Sequence, residues 1–306
     1  MRIDIAAQTD VGRKKRNNED SYGVFREDVP GLRLFEEGAM LCVADGLGGH
    51  TGGEIASRRS VAIVKDALRQ PPAEPDAPDA APSPLPVLLE WIKKANASIF
   101  QTNSELVKAG RPMGTTFLAA VVQPRRAHIA NVGDSRCYHL RNGEIIDKTE
   151  DHSWVDEQVK AGFMTKSEAE SDARRNFVTR CIGTHEAVDV DGYAWDTVPG
   201  DMLLLCTDGL VNMAKDSEIA AEFKKGGRPA EIASRLVNLA NDNGGKDNIT
   251  VIVALLEPSL LTWLRSRFLA MWERRGTHIA WLIISLLLGA ACFGAGYLIG
   301  IHRPHG

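Results

Sequence analysis

Apolar residues fall into short runs along most of this chain. Residues 3–9 and 40–44 are patterned as strands, and 53–68 repeats Ile55, Val61, Val64 and Leu68 in the manner of an amphipathic helix with those four turned inward. A second helical stretch covers 87–108, followed by short β runs at 115–122, 127–131 and 136–140. The tight Arg141-Asn142-Gly143-Glu144 turn then leads into a hairpin partner at Ile145. Residues 151–180 are polar and weakly periodic, as expected of an exposed helical excursion or flap. Strands resume at 188–195, 202–206 and 249–256, with helical patterns at 217–223 and 229–241 between them. Strand runs dominate and helices come in pairs without regular β-α alternation. The pattern predicts an α+β fold of antiparallel sheets with helices packed outside.

Two stretches break the pattern. "QPPAEPDAPDAAPSPLP", residues 70–86, holds seven of the 14 prolines, which argues against helix or interior strand and for an exposed linker within the domain. "IAWLIISLLLGAACFGAGYLIGI", residues 279–301, is 23 residues without a charge, long enough to cross a hydrocarbon core as a helix. Arg265, Arg267, Arg274 and Arg275 precede it against Glu273, while His302, Arg303 and His305 follow. This bias predicts a single-pass protein of the inner membrane with its body in the cytoplasm. The expected division is therefore a domain over 1–257, a basic and aromatic juxtamembrane linker over 258–278, the span over 279–301 and a short non-cytoplasmic tail over 302–306. Gly296 and Gly300 form a small-xxx-small pair, the basis for an expected dimer through the span.

Charge and cysteine usage narrow the function. A net charge of -4 and a pI near 6.1 supply no basic face for nucleic acid. Cys42, Cys137, Cys181, Cys206 and Cys292 lack the paired spacing of a disulfide framework or zinc site, and read as small hydrophobes in a reducing compartment. The first 20 residues contain no apolar core of a signal peptide.

Carboxylates that terminate apolar runs carry the candidate chemistry. In "VADGLGGHTGGE" Asp45 ends one run, and five glycines follow within eight positions, leaving bare backbone beside the carboxylate. "MLLLCTDGL" ends a second run in Asp208, "GGKDNITVIV" puts Asp247 before a third, "NNEDS" supplies Glu19 and Asp20, and "NVGDSR" supplies Asp134. Each alone is also an ordinary turn or cap. Together, gathered at one rim, they would repel one another unless cations neutralised them. All-oxygen ligation points to Mg2+ or Mn2+, and two such ions acting on a phosphoryl group point to phosphate hydrolysis.

In order and spelling these motifs, with "TDVGRKKRNNEDS", "MGTT", "DHS" and "NFVTRCIG", resemble the metal-dependent protein serine/threonine phosphatases of the protein phosphatase 2C type, in their bacterial form. The resemblance covers residue 5 to about 256 and implies a sandwich of two antiparallel sheets flanked by helices. It implies that Asp45 bridges two ions, that the Gly46 carbonyl joins one, that Asp208 and Asp247 complete the first, and that Glu19 and Asp20 serve the second directly or through water. Asp134 matches a position that, with Asp208, helps hold a third, weaker ion. Thr115 and Ser135 lie in matching motifs and would support the backbone. Phosphorylated proteins are the implied substrates and a cognate serine/threonine kinase the implied opponent.

Two departures stand out. Lys15 occupies the position where the family usually has a phosphate-gripping arginine, with Arg16 one step later; lysine offers a point charge in place of a bidentate fork. Lys15 is expected to inherit the role, and Arg16 to replace it only where the backbone bulges. Leu47 stands where some members carry a histidine, so a general acid must come from water; His50 and His152 read as structural. The competing reading is a membrane-tethered, phosphatase-like module that binds phosphoproteins without turnover.

Overall fold

A computed structural model describes residues 2–26, 38–47, 51–69, 83–106 and 112–257. The strands are β1 (Arg2–Asp10), β2 (Ser21–Phe25), β3 (Ala39–Ala44), β4 (Gly46–Leu47), β5 (Gly114–Thr115), β6 (Phe117–Val122), β7 (Arg126–Val132), β8 (Arg136–Arg141), β9 (Glu144–Lys148), β10 (Asp191–Asp196), β11 (Met202–Cys206) and β12 (Ile249–Glu257). The helices are α1 (Thr51–Arg69), α2 (Pro84–Leu106), α3 (Trp154–Lys160), α4 (Lys166–Ser171), α5 (Asp208–Val211), α6 (Asp216–Lys224) and α7 (Pro229–Asp242). One sheet runs β1-β12-β11-β8-β9, the other β10-β7-β6-β3-β2, and within each sheet every strand pairing is antiparallel.

Why these strands are apolar on both faces follows from their neighbours. Successive side chains alternate between faces. Leu41 and Val43 of β3, Leu118 and Ala120 of β6, Leu203 and Leu205 of β11, and Ile252 and Ala254 of β12 meet between the sheets. The alternate residues Met40, Cys42, Ala119 and Val121 pack under α1 and α2. On the other side Leu204, Cys206, Val251 and Val253 pack under α6 and α7. The result is helices, sheet, sheet, helices. Asn142 and Gly143, both at positive φ, make the hairpin turn between β8 and β9 that the sequence announced.

Three expectations change. Ile55 is 49% exposed, whereas Gly53, Ala56, Ser57, Ser60, Val64 and Leu68 are the buried face of α1. At about 100° per residue, Ile55 lies about half a turn from Val64, so the two never shared a face. Residues 84–86 begin α2 although they were assigned to the proline linker; proline is tolerated in the first turn, where amide hydrogens have no intrahelical partner. The strand β2 went unread because "SYGVF" is short and centred on Gly23, which lies against Phe25 and Cys42 where a Cβ would clash. Among the described residues no helix is long and apolar enough to cross a membrane. Residues 258–306, including the predicted linker, span and tail, lie outside those described, as do His50, Cys292 and residues 70–82 of the proline-rich stretch.

Candidate functional site

Antiparallel pairing decides which carboxylates can meet. Asp45 follows β3, Asp20 precedes its neighbour β2, and Asp134 follows β7, which is parallel to β3 through β6. All three leave the same end of one sheet. In the other sheet, Asp208 follows β11 and Asp247 precedes the adjacent β12, again at one end. The two ends coincide: Thr207 after β11 and Thr250 in β12 hydrogen-bond to Asp20 of the other sheet, Asp45 faces Asp208, Asp20 and Asp134, and both Asp208 and Asp20 face Asp247.

Crowding and burial shift their acidity. Burial first, then the charges of Asp208, Asp20 and Asp134, hold the Asp45 carboxyl well above the usual range. Asp45 and Asp208 face each other closely enough to shift one another's acidity. Burial and the charge of Asp247 push Asp208 up to about 6. Asp20 is pushed up to about 7, chiefly by burial, despite hydrogen bonds to its Oδ2 from Thr250 at 2.7 Å and Thr207 at 2.8 Å. Asp134 is raised by burial and by the charges of Asp208 and Asp151, which Arg136 only partly offsets.

Each carboxylate is held by groups with their own partners. The Asp45 amide hydrogen bonds to the Thr116 hydroxyl, and its carbonyl accepts from the Thr115 hydroxyl at 2.7 Å and the Thr116 amide at 2.9 Å. Ser135 bonds to Thr116 in turn at 2.8 Å. Gly133 opens the turn bearing Asp134; its amide donates to His152 Nδ1 at 3.1 Å and its carbonyl accepts from the His152 amide. Burial lowers the pKa of His152, which keeps that nitrogen an acceptor. Gly46, in β4, and Gly53, in the first turns of α1, meet backbone to backbone: a Cβ on Gly53 would lie 2.7 Å from Glu19 Oε2 and 2.8 Å from the Gly46 carbonyl. That close approach brings the Gly46 carbonyl and the Glu19 carboxylate together.

Lys15 Nζ lies 2.5 Å from Asp247 Oδ1. Partial burial opposes its charge, but Asp247, Asp45 and Glu19 outweigh it and raise its pKa. The position is therefore inside the acidic rim, whereas Arg16 is exposed and forms no ion pair among the described residues. Leu47 is in β4 beside Gly46.

Four positioning residues escaped the sequence reading. Asn248 accepts from the Glu19 amide at 2.8 Å and donates to the carbonyls of Val11 and Asn17, locking the loop that carries Lys15 and Glu19. Thr207 and Thr250 orient Asp20, and Ser57 donates to the Glu19 carbonyl at 2.5 Å. Asn248 directly follows Asp247, so its place in "KDN" was the available signal.

Among the described residues no three acidic, His or Cys side chains are already set to enclose an ion, and Lys15 is paired with Asp247. The donor set nevertheless fits hard divalent cations. It is all oxygen, and Asp20 Oδ1 and Asp208 Oδ1 are buried without a hydrogen-bond partner.

The profile described as Protein phosphatase 2C matches residues 13–252. The serine/threonine phosphatase stp of Listeria innocua is 35% identical over 260 residues, covering 83% of this chain and 95% of that protein. Among solved structures, the serine/threonine phosphatase Stp1 from Staphylococcus aureus superposes with a TM-score of 0.73 at 31% identity, over 84% of this chain and 96% of that one. The catalytic domain of the phosphatase PstP, solved in complex with two manganese ions, gives 0.68 at 31% identity, over 84% and 99%.

Proposed function

Because the chain belongs to the protein phosphatase 2C family, and is a metal-dependent serine/threonine phosphatase, we propose that it hydrolyses phosphoserine and phosphothreonine in proteins with two Mg2+ or Mn2+ ions at the rim described above. The observation that carries this reading is the convergence of carboxylates from five separate segments, of which Asp20, Asp45, Asp134 and Asp208 are raised in pKa by burial and by neighbouring carboxylate charge. The two manganese ions of PstP support it. Asp45, Asp208 and Asp247 would hold one ion, and Asp45, the Gly46 carbonyl, Glu19 and Asp20 the other, with Asp134 and Asp208 available to a third. Bound divalent ions supply charge against the phosphoryl group and acidify water at neutral pH.

The chain's own residues do the rest. Lys15, ion-paired to Asp247, is the cation that meets the substrate phosphate, as a point charge with no fixed fork. Leu47 offers no proton, so water at the open rim protonates the departing serine or threonine oxygen. Residues 152–180, closed on themselves by the Ser153–Val178 bridge and the hydrogen bond from the Thr179 amide to the His152 carbonyl, and joined to the turn bearing Asp134 through the two Gly133–His152 hydrogen bonds, form a flap beside it. The uncharged stretch 279–301 supports a membrane tether, which would raise the effective concentration of the enzyme near membrane-bound substrates. A serine/threonine kinase acting on those substrates would be its opponent, and pairing through Gly296 and Gly300 would make a dimer.

The test is phosphate release from a phosphothreonine peptide by the full-length chain, with and without Mn2+, beside Asp208→Asn. Release that needs the ion and vanishes in the variant supports the reading. A folded, ion-binding protein that releases nothing would favour the tethered binding module.

A further inference from the structure

The loop that carries Lys15 concentrates positive charge. Arg13, Lys14, Lys15 and Arg16 are consecutive and exposed in a chain whose net charge is -4. Exposed Lys246 follows Gly245, whose carbonyl accepts from the amides of Arg13 at 2.7 Å and Lys14 at 3.2 Å. Asn248 Nδ2 bridges the loop's two ends through Val11 and Asn17, so these cations sit on a fixed frame. Lys15 is matched by Asp247, but Arg13, Lys14, Arg16 and Lys246 form no ion pair among the described residues. The nearby acids Asp10 and Asp242 form no ion pair with them among the described residues: Asp10 accepts from the Gly12 amide and the Asn241 side chain, and Asp242 ends α7.

We propose that this basic loop is a specificity element that reads negative charge flanking the phosphorylated residue, so that acidic or multiply phosphorylated segments are the preferred substrates. The inference rests on the phosphatase reading and adds a substrate class to it. An extended peptide advances about 3.3 Å per residue, so with the phosphate at Lys15 the neighbouring cations meet side chains within about three residues on either side. Such exposed pairs act through a fixed potential more than through single contacts, and salt screens them.

The experiment compares kcat/KM of the full-length chain on phosphothreonine peptides flanked by Gln, by Glu or by phosphoserine, with p-nitrophenyl phosphate as a flank-free substrate. The same set is run on an Arg13→Gln, Lys14→Gln, Lys246→Gln variant. Glutamate flanks should raise kcat/KM by about fivefold over glutamine, and phosphoserine flanks by more. That preference should collapse in the variant and in high salt, while p-nitrophenyl phosphate turnover stays within about twofold. Equal rates on all peptides, or a preference that survives in the variant, would overturn the proposal. Should p-nitrophenyl phosphate not be hydrolysed at all, the phosphatase reading itself fails; fluorescence anisotropy of the same peptides then reads the loop independently. Loss of binding to anionic vesicles with no change in peptide preference would assign the loop to a lipid surface instead.

Discussion

The strand β11 carries a carboxylate at each end, and the two behave oppositely. Asp201, just before it, receives Arg141 Nε and Nη2 at 2.8 Å each, His139 Nε2 at 2.8 Å and the Val198 amide at 2.9 Å. Burial works against its charge, but these donors prevail and its pKa is lowered. Asp208, just after the strand, meets the carboxyl of Asp45 and the charge of Asp247, keeps Oδ1 unpartnered, and has its pKa pushed up to about 6. Identical residue types at the two ends of one five-residue strand are thus separated into a structural anchor and a group that needs a cation.

Breaking the functional end should cost activity and not stability. Asp208→Asn is expected to lower ion-dependent phosphate release by more than about 10²-fold, since a donor is lost from the ion site. Its thermal midpoint without added metal should hold or rise, because a like-charge contact is relieved; a lower midpoint would contradict the assignment. Breaking the structural end should do the reverse. Asp201→Ala leaves His139 and Arg141 without their carboxylate and should destabilise by about 2–3 kcal/mol in urea unfolding, with turnover per folded molecule unchanged.

Smaller effects sharpen the contrast. Gly53→Ala inserts a Cβ against the Gly46 carbonyl and Glu19 Oε2; ion affinity by titration calorimetry should weaken by about tenfold while the fold survives.

The pH dependence should differ in sign between the ends. Asp20, near 7, and Asp208, near 6, bind protons in the folded protein that the unfolded chain has released above about pH 4. Stability of the chelator-treated protein should therefore fall as pH rises from about 5 to 8, and Mn2+ should remove that slope. Asp201 contributes stability above its unfolded pKa of about 4, and loses it as pH falls through its lower folded value. Thermal midpoints across pH, with and without Mn2+, test both.

Much of the architecture was legible because local patterns carried it. The apolar runs gave β11 and β12 nearly to the residue, and Asn142-Gly143 gave a hairpin. The carboxylates drew notice because each interrupts a run in a recognisable motif. Asn248, Thr207, Thr250 and Ser57 did not, since a polar residue after a strand or within a helix is ordinary until its partner is known. Ile55 was misplaced by counting apolar residues without their angular phase.

By itself, then, the sequence determined the element types, the sandwich implied by the family motifs and the supply of oxygen donors, because periodicity and turn chemistry act over a few residues. Only the tertiary structure decided that Asp20, Asp45, Asp134, Asp208 and Asp247 share one rim while Asp201 lies at the other end of β11 among hydrogen-bond donors. Charge interactions depend on distance in space and on burial, and antiparallel pairing of segments far apart in the chain sets both.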